Sequence, residues 1–243
     1  MGRTLKKAII LAAGRGTRLR RLLKGNPKPL LDIGNISLIE NLIQKLRKIN
    51  IKKIIVVTGY QSKKIKKTLG TNVKYIHYPN FKKTNNLHTM LFIKKELNEP
   101  LLCLFSDVIF DIKILEKLKK NKKDIVLAID KKTKLPGTMR VIIKKNLIHE
   151  IGSHISPKYC DGNFIGFAKF SNYGNYLLKK KLQKYKKSNF NDYYTIAFNS
   201  LIKLNKKINF LNVSRYNWKE IDTQKDYLEA KKIFKRIQKN EKK

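Results

Sequence analysis

Ala8-Ile9-Ile10-Leu11-Ala12-Ala13-Gly14-Arg15-Gly16-Thr17-Arg18-Leu19 is the stretch whose reading decides the fold: six apolar residues, two glycines one residue apart, then a basic segment running to Pro29. An uninterrupted apolar run of this length, closed by glycine, reads as a buried strand over Ala8–Ala13. Two glycines directly after such a strand let the backbone approach a phosphate closely, with the N–H groups of the turn pointing at it. The plain alternative is a tight turn. Two commoner phosphate loops are excluded. A dinucleotide fingerprint needs a third glycine near position 19, where leucine stands, and a P-loop needs Lys-Ser or Lys-Thr after its second glycine.

Downstream, apolar runs alternate with amphipathic stretches. Ser37–Ile49 carries Leu38, Leu42, Leu46 and Ile49 at helical spacing. Ile54–Thr58 reads as a strand, Ser62–Leu69 as a helix, Val73–His77 as a strand and Asn86–Leu97 as a helix; Leu101–Phe105, Ile112–Lys119 and Ile125–Ile129 repeat the pattern. Strand–helix alternation with continuously apolar strands predicts an α/β fold around a mostly parallel sheet flanked by helices. After Asp130 the pattern changes. Met139–Ile143 and Leu147–Ile151 flank a Lys-Lys-Asn turn, Phe164–Phe170 is a further strand, and helices are expected over Tyr173–Tyr185 and Tyr193–Leu204. Ile208–Val213 and Trp218–Asp222 then precede a closing helix, Thr223–Gln238. The sheet is therefore expected to be mixed, with one or two antiparallel members. A single domain over 1–243 is expected, with an acceptor-side insertion over roughly 131–190 and a basic, low-complexity tail over 235–243.

A chain of 243 residues, 42% hydrophobic and 9% aromatic, can bury a core despite its charge. Two cysteines far apart, Cys103 in an apolar run and Cys160, are expected to be free thiols of a cytoplasmic protein. The apolar run near the start is too short for a signal peptide, and no stretch reaches the about 20 apolar residues of a membrane span. The net charge of +39 raises a polyanion or RNA-binding reading. Only nine of the 56 basic residues are arginine, however, and the lysines are spread over nearly every segment alongside abundant Ile and Asn. That distribution suits a solvated coat, which would still concentrate anionic substrates, better than a nucleic-acid reading face.

Three clusters carry the chemistry. Lys28 stands between Pro27 and Pro29, which fix the backbone on either side, so its ammonium is aimed beside the glycine loop. With Arg18 it can offset charge developing on a transferring phosphoryl group. Ser106-Asp107 follows an apolar strand, placing the carboxylate where open α/β sheets bind ligands; it reads as a Mg²⁺ ligand or as a helix or turn cap. Asp222, in Trp218-Lys219-Glu220-Ile221-Asp222-Thr223, reads as a second Mg²⁺ ligand or as the cap of the last helix. The four histidines show no catalytic spacing.

In order and spacing, Ala8–Leu19, Pro27–Leu31, Ser106-Asp107 and Glu220-Ile221-Asp222-Thr223 resemble the sugar-phosphate nucleotidyltransferases, over nearly the whole chain. Within them the chain looks closest to small bacterial cytidylyltransferases of the phosphocholine, 2-aminoethylphosphonate and inositol-1-phosphate type. Asn85–Met90 is similar to their asparagine-led helix start, and Asn163–Phe170 to their acceptor-side strand. The resemblance implies a Rossmann-like nucleotidyltransferase fold and transfer of a nucleoside monophosphate, CMP from CTP, to a small phosphorylated acceptor with release of pyrophosphate. It places Leu11, Ala12, Ala13, Gly14, Gly16, Thr17, Gly59, Tyr60 and Ser106 around the nucleotide, with Lys28 and Arg18 catalytic. It places Asn86, Gly166, Trp218 and Glu220 on the acceptor side, and Mg²⁺ on Asp107 and Asp222. A sugar-1-phosphate acceptor with UTP or dTTP stays open, as does a homodimer. Tyr159, Phe164, Tyr193, Tyr194 and Trp218 are the aromatics available to a quaternary ammonium.

Overall fold

The computed structural model describes residues 5–133 and 139–241, so residues 134–138 of the expected insertion and the last two residues of the expected tail lie outside it. The chain begins β1 (Lys7–Ala12), α1 (Arg20–Leu23), α2 (Leu38–Lys48), β2 (Lys53–Thr58), α3 (Ser62–Leu69) and β3 (Lys74–His77). It continues α4 (Asn86–Phe92), β4 (Leu101–Phe105), β5 (Val108–Phe110), α5 (Lys113–Lys120) and β6 (Ile125–Asp130). The rest is β7 (Arg140–Lys144), β8 (Leu147–Gly152), β9 (Gly162–Phe170), α6 (Asn172–Leu182), α7 (Ile196–Ile202), β10 (Asn209–Asn212), β11 (Trp218–Glu220) and α8 (Gln224–Glu241). The α/β expectation holds, with a mixed sheet flanked by helices. Among the described residues no helix is long and apolar enough to cross a membrane.

The chain divides into two compact units. One gathers 6–82, 104–116 and 216–241; the other gathers residue 5 with 83–103, 117–133 and 139–215. In the first, β1, β2 and β3 pair in parallel, Lys7 opposite Lys53 through Ala12 opposite Thr58. Every residue of β1 is buried, as an apolar run without alternation requires. Ser37 and Glu40 cap α2 reciprocally: the Ser37 N–H and hydroxyl donate to Glu40 Oε2, and the Glu40 N–H donates to Ser37 Oγ. Leu38, Ile39, Leu42 and Leu46 are buried along one face of the helix.

The strand read over Trp218–Asp222 is β11, Trp218–Glu220, and the same unit gives it a partner, β5, absent from the sequence reading. β5 pairs antiparallel with β11, Val108 opposite Glu220 and Phe110 opposite Trp218. Three-residue strands more than a hundred positions apart carry no periodic signal. The ribbon is anchored by α8, whose Ala230, Phe234 and Ile237 join Leu19, Leu23, Leu31, Ile33, Leu38, Ile109 and Ile221 in one buried cluster. The basic residues from Lys235 onward continue this helix to Glu241, three positions past the expected end. Glu241 pairs with the buried Lys45 and accepts from the Ile112 N–H at 3.0 Å, while Lys45 donates to the Phe110 carbonyl at 2.9 Å. The last turn of α8 is thereby fastened to the exit of β5.

In the second unit the strand order is β10-β6-β9-β4, with β10–β6 parallel and β6–β9 antiparallel. β7 and β8 form the expected hairpin, turning on Lys145 and Asn146 with φ of 48° and 57°, the left-handed pair of a tight hairpin turn. The helix expected over Asn86–Leu97 ends at Phe92 and finishes in a separate 3₁₀ turn, Lys94–Glu96. The helix expected from Tyr193 starts at Ile196.

Candidate active site

β1 delivers the chain into Ala13–Gly16, and the Leu19 N–H donates to the Gly16 carbonyl at 3.0 Å to open a 3₁₀ turn over Thr17–Leu19. Gly16 sits at φ 62°, ψ 42°, the left-handed region. A Cβ there would meet Lys28 Cβ at 2.9 Å and Leu23 Cδ1 at 3.1 Å. This glycine therefore lets the Lys28 stem lie against the loop, whereas a Cβ on Gly14 would meet nothing. Gly16→Ala is expected to cost about 1–2 kcal/mol through the left-handed backbone, lowering the melting temperature by about 2–8 °C. Displacing Lys28 should also lower turnover by about tenfold or more. Gly14→Ala should melt like the parent protein, and wild-type turnover in Gly16→Ala would refute the packing argument.

Pro27 is extended at φ −73°, ψ 146°, and Lys28–Leu30 forms a 3₁₀ turn closed by Leu30 N–H to Pro27 O and Leu31 N–H to Lys28 O. The Lys28 side chain is one-tenth exposed, and its Nζ donates to Asp107 Oδ2 at 2.7 Å and to Asp222 Oδ1 at 2.8 Å. Arg18 reaches the other oxygen of Asp222 at 3.0 Å.

The β5–β11 ribbon explains how residues 107 and 222 meet. Asp107 precedes β5 and Asp222 follows β11, so antiparallel pairing brings both to the same end, where the Ile221 N–H donates to the Asp107 carbonyl at 3.0 Å. Ile221 is sunk in the buried cluster, and strand alternation turns Glu220 and Asp222 to the opposite side. The two sequence readings of Asp222 are now separable. Thr223 is the residue that caps α8: Asp226 Oδ2 accepts from the Thr223 N–H and hydroxyl, and the Asp226 N–H donates to Thr223 Oγ1. The cap reading of Asp222 is thus replaced, and its carboxylate goes to Lys28 and Arg18. Asp107 leads into a strand, so it caps no helix either.

Carboxylate oxygens of Asp107, Glu220 and Asp222 lie within 4.8 Å of one another. Burial draws the Lys28 pKa down, but Asp107 and Asp222 outweigh it and hold the ammonium above the ordinary lysine value. Burial, then the Asp107 and Asp222 charges, push Glu220 up to about 8. Asp107 Oδ1 is buried without a hydrogen-bond partner among the described residues. An orphaned carboxylate oxygen beside two further carboxylates fits a hard divalent cation, which prefers such oxygens. Glu220, expected on the acceptor side, is the third member of this cluster; its place two residues before Asp222 on a strand is the signal that could have marked it.

Gly59 ends the second strand against this loop, with the Tyr60 N–H donating to the Ala13 carbonyl at 3.2 Å; a Cβ on Gly59 would meet that carbonyl and the Phe81 ring, both at 2.7 Å. Leu11, Ala12, Ala13 and Ser106 are buried, Gly14 and Thr17 are exposed, and Trp218 is half-buried on β11. The remaining expected residues belong to the second unit. Asn86 opens α4 and its side-chain oxygen accepts from the Tyr194 N–H at 2.8 Å. Gly166, at φ 84°, sits where β9 bulges against β6. Tyr194 and Phe164 are core, whereas Tyr159 is 69% exposed. His88 bonds the Ser188 carbonyl and stacks on Phe190, and His154 pairs with Glu150.

Residues 8–157 match the family described as the MobA-like NTP transferase domain. The bifunctional protein GlmU of Methanococcus maripaludis is 34% identical over 109 residues, 45% of this chain and 26% of that protein. The CTP:phosphoglutamine cytidylyltransferase of Campylobacter jejuni is 32% identical over 132 residues, 51% of this chain and 52% of that protein. The matched region thus spans about a quarter to a half of these relatives. Among solved structures, the inositol-1-phosphate CTP transferase from T. maritima superposes with a TM-score of 0.80 at 18% identity, covering 96% of this chain and 98% of that one, a likeness of fold. The relatives and structural neighbours are nucleotidyltransferases. With the family match covering more than half its length, the chain belongs to the MobA-like NTP transferase domain family.

Proposed function

We propose that this chain is a Mg²⁺-dependent nucleotidyltransferase that transfers CMP from CTP to a phosphate or phosphonate oxygen of a small acceptor. The observation that carries the reading is the convergence of the glycine loop, the Lys28 ammonium and three carboxylates within one unit. In the reaction an acceptor oxygen forms a bond to the α-phosphorus, the bond from that phosphorus to the bridging oxygen of the β-phosphate breaks, and pyrophosphate leaves with the electron pair. The acceptor oxygen is already anionic, so no side chain need deprotonate it. The loop from Ala13 to Thr17 receives the phosphates. Lys28 and Arg18 offset negative charge as it spreads over the α-phosphate and the leaving group. Asp107 and Asp222 would hold Mg²⁺, which supplies Lewis-acid charge to the phosphate oxygens when bound.

The choice of CTP is supported by the cytidylyltransferases among the relatives, including the choline-phosphate enzyme of Streptococcus pneumoniae, 38% identical over 98 residues. Incubating the protein with each NTP, Mg²⁺, pyrophosphatase and a panel of phosphocholine, phosphonates, polyol phosphates and sugar 1-phosphates tests the proposal. CTP with a non-sugar acceptor is expected to release phosphate fastest. Preference for UTP or dTTP with a sugar 1-phosphate would overturn the CTP assignment. Absence of turnover with every pair, together with salt-sensitive RNA retention, would favour polyanion binding instead.

A further inference from the structure

The oxygens best placed to hold a divalent ion are already engaged: Lys28 Nζ holds Asp107 Oδ2 and Asp222 Oδ1, and Arg18 holds Asp222 Oδ2. Among the described residues, Asp107 Oδ1 and the Glu220 carboxylate remain beside them. An ion bridging Asp107 and Asp222 must therefore take an oxygen from a cation or share one with it. Sharing would set a doubly charged ion one oxygen's width from an ammonium that is only one-tenth exposed, where water screens little. Arg18 is 63% exposed and can swing into solvent, but releasing it frees only one oxygen of Asp222 and leaves the ammonium between the two carboxylates.

We infer that Lys28 is a displaceable stand-in for the divalent cation, competing with it for Asp107 and Asp222, so that metal arrival turns the ammonium out toward the phosphates of the nucleotide. Metal alone then binds against an existing ion pair. A triphosphate gives the displaced ammonium a new partner, so metal and nucleotide support one another, and by linkage each raises the affinity of the other equally. The nucleotide half of this inference rests on the transferase reading; the competition is a property of the side chains alone.

The test is titration of nucleotide-free protein with Mn²⁺, reading free Mn²⁺ by electron paramagnetic resonance, for the parent chain and Lys28→Met, Lys28→Gln and Lys28→Arg. The Met and Gln variants are expected to bind Mn²⁺ tighter by about tenfold or more, while Arg, which keeps the charge, stays near the parent value. Affinity unchanged or weakened in Met and Gln overturns the inference, as does equal tightening in Arg. Should Met and Gln fail to fold without metal, the competition requires Mn²⁺ alone to restore a cooperative melt, and failure to do so also overturns it. A protein that turns over no nucleotide yet shows the tightening keeps this inference and loses the transferase reading; turnover without tightening does the reverse.

Discussion

Lys28→Met lowers turnover with the preferred nucleotide and acceptor by at least about a hundredfold, the scale of one lost contact to charge developing in a transition state. Methionine keeps most of the stem that packs on Gly16 and removes only the ammonium, so the loop should hold its place. The fall is expected in kcat more than in KM, because the contact gains strength as negative charge develops on the phosphates. Stability should fall by up to about 3 kcal/mol, since two carboxylates lose their shared partner. That cost is moderated by their exposure, about a fifth of each side chain. A steady-state comparison at saturating Mg²⁺ decides it: parental kcat in a folded variant would remove Lys28 from the chemistry.

Asp107→Ala should be as damaging, again at least about a hundredfold, for a different reason. It deletes both the unpartnered oxygen beside the other carboxylates and one of the two anchors of the ammonium. Lys28 keeps Asp222, so the fold should survive with a modest loss of melting temperature. Raising Mg²⁺ should not restore activity, because a ligand rather than affinity alone is missing. Full turnover in purified Asp107→Ala would show that the carboxylate cluster lies outside the reaction.

How far the sequence could be read follows from where its signals lie. β1 and the glycine loop were legible because an apolar run and its terminating glycines are contiguous. α2 was legible because Leu38, Leu42 and Leu46 repeat at helical spacing and Ser37 and Glu40 mark its start. Lys28 stood out among 47 lysines only through its flanking prolines, and nothing local announced that it would bridge two carboxylates. Asp222 was ambiguous because Thr223 and Asp226 also form a helix cap, and only the hydrogen bonds assign the cap to Thr223. The strand at Trp218 was legible, but β5 and its pairing with β11 were not, since three residues cannot show alternation and the partner lies more than a hundred positions away. Helix ends were misplaced where the last turn tightened to 3₁₀, as after Phe92.

The ribbon also bears on how the protein comes off the ribosome. β5 is synthesised more than a hundred residues before β11. At ordinary translation speeds of about 5–20 residues per second, Asp107 must wait on the order of 5–20 s for its partner strand. Over that interval Lys28 has one prospective anion rather than two. The carboxylates of residues 107 and 222 thus come together only once β11 has been made and has paired with β5.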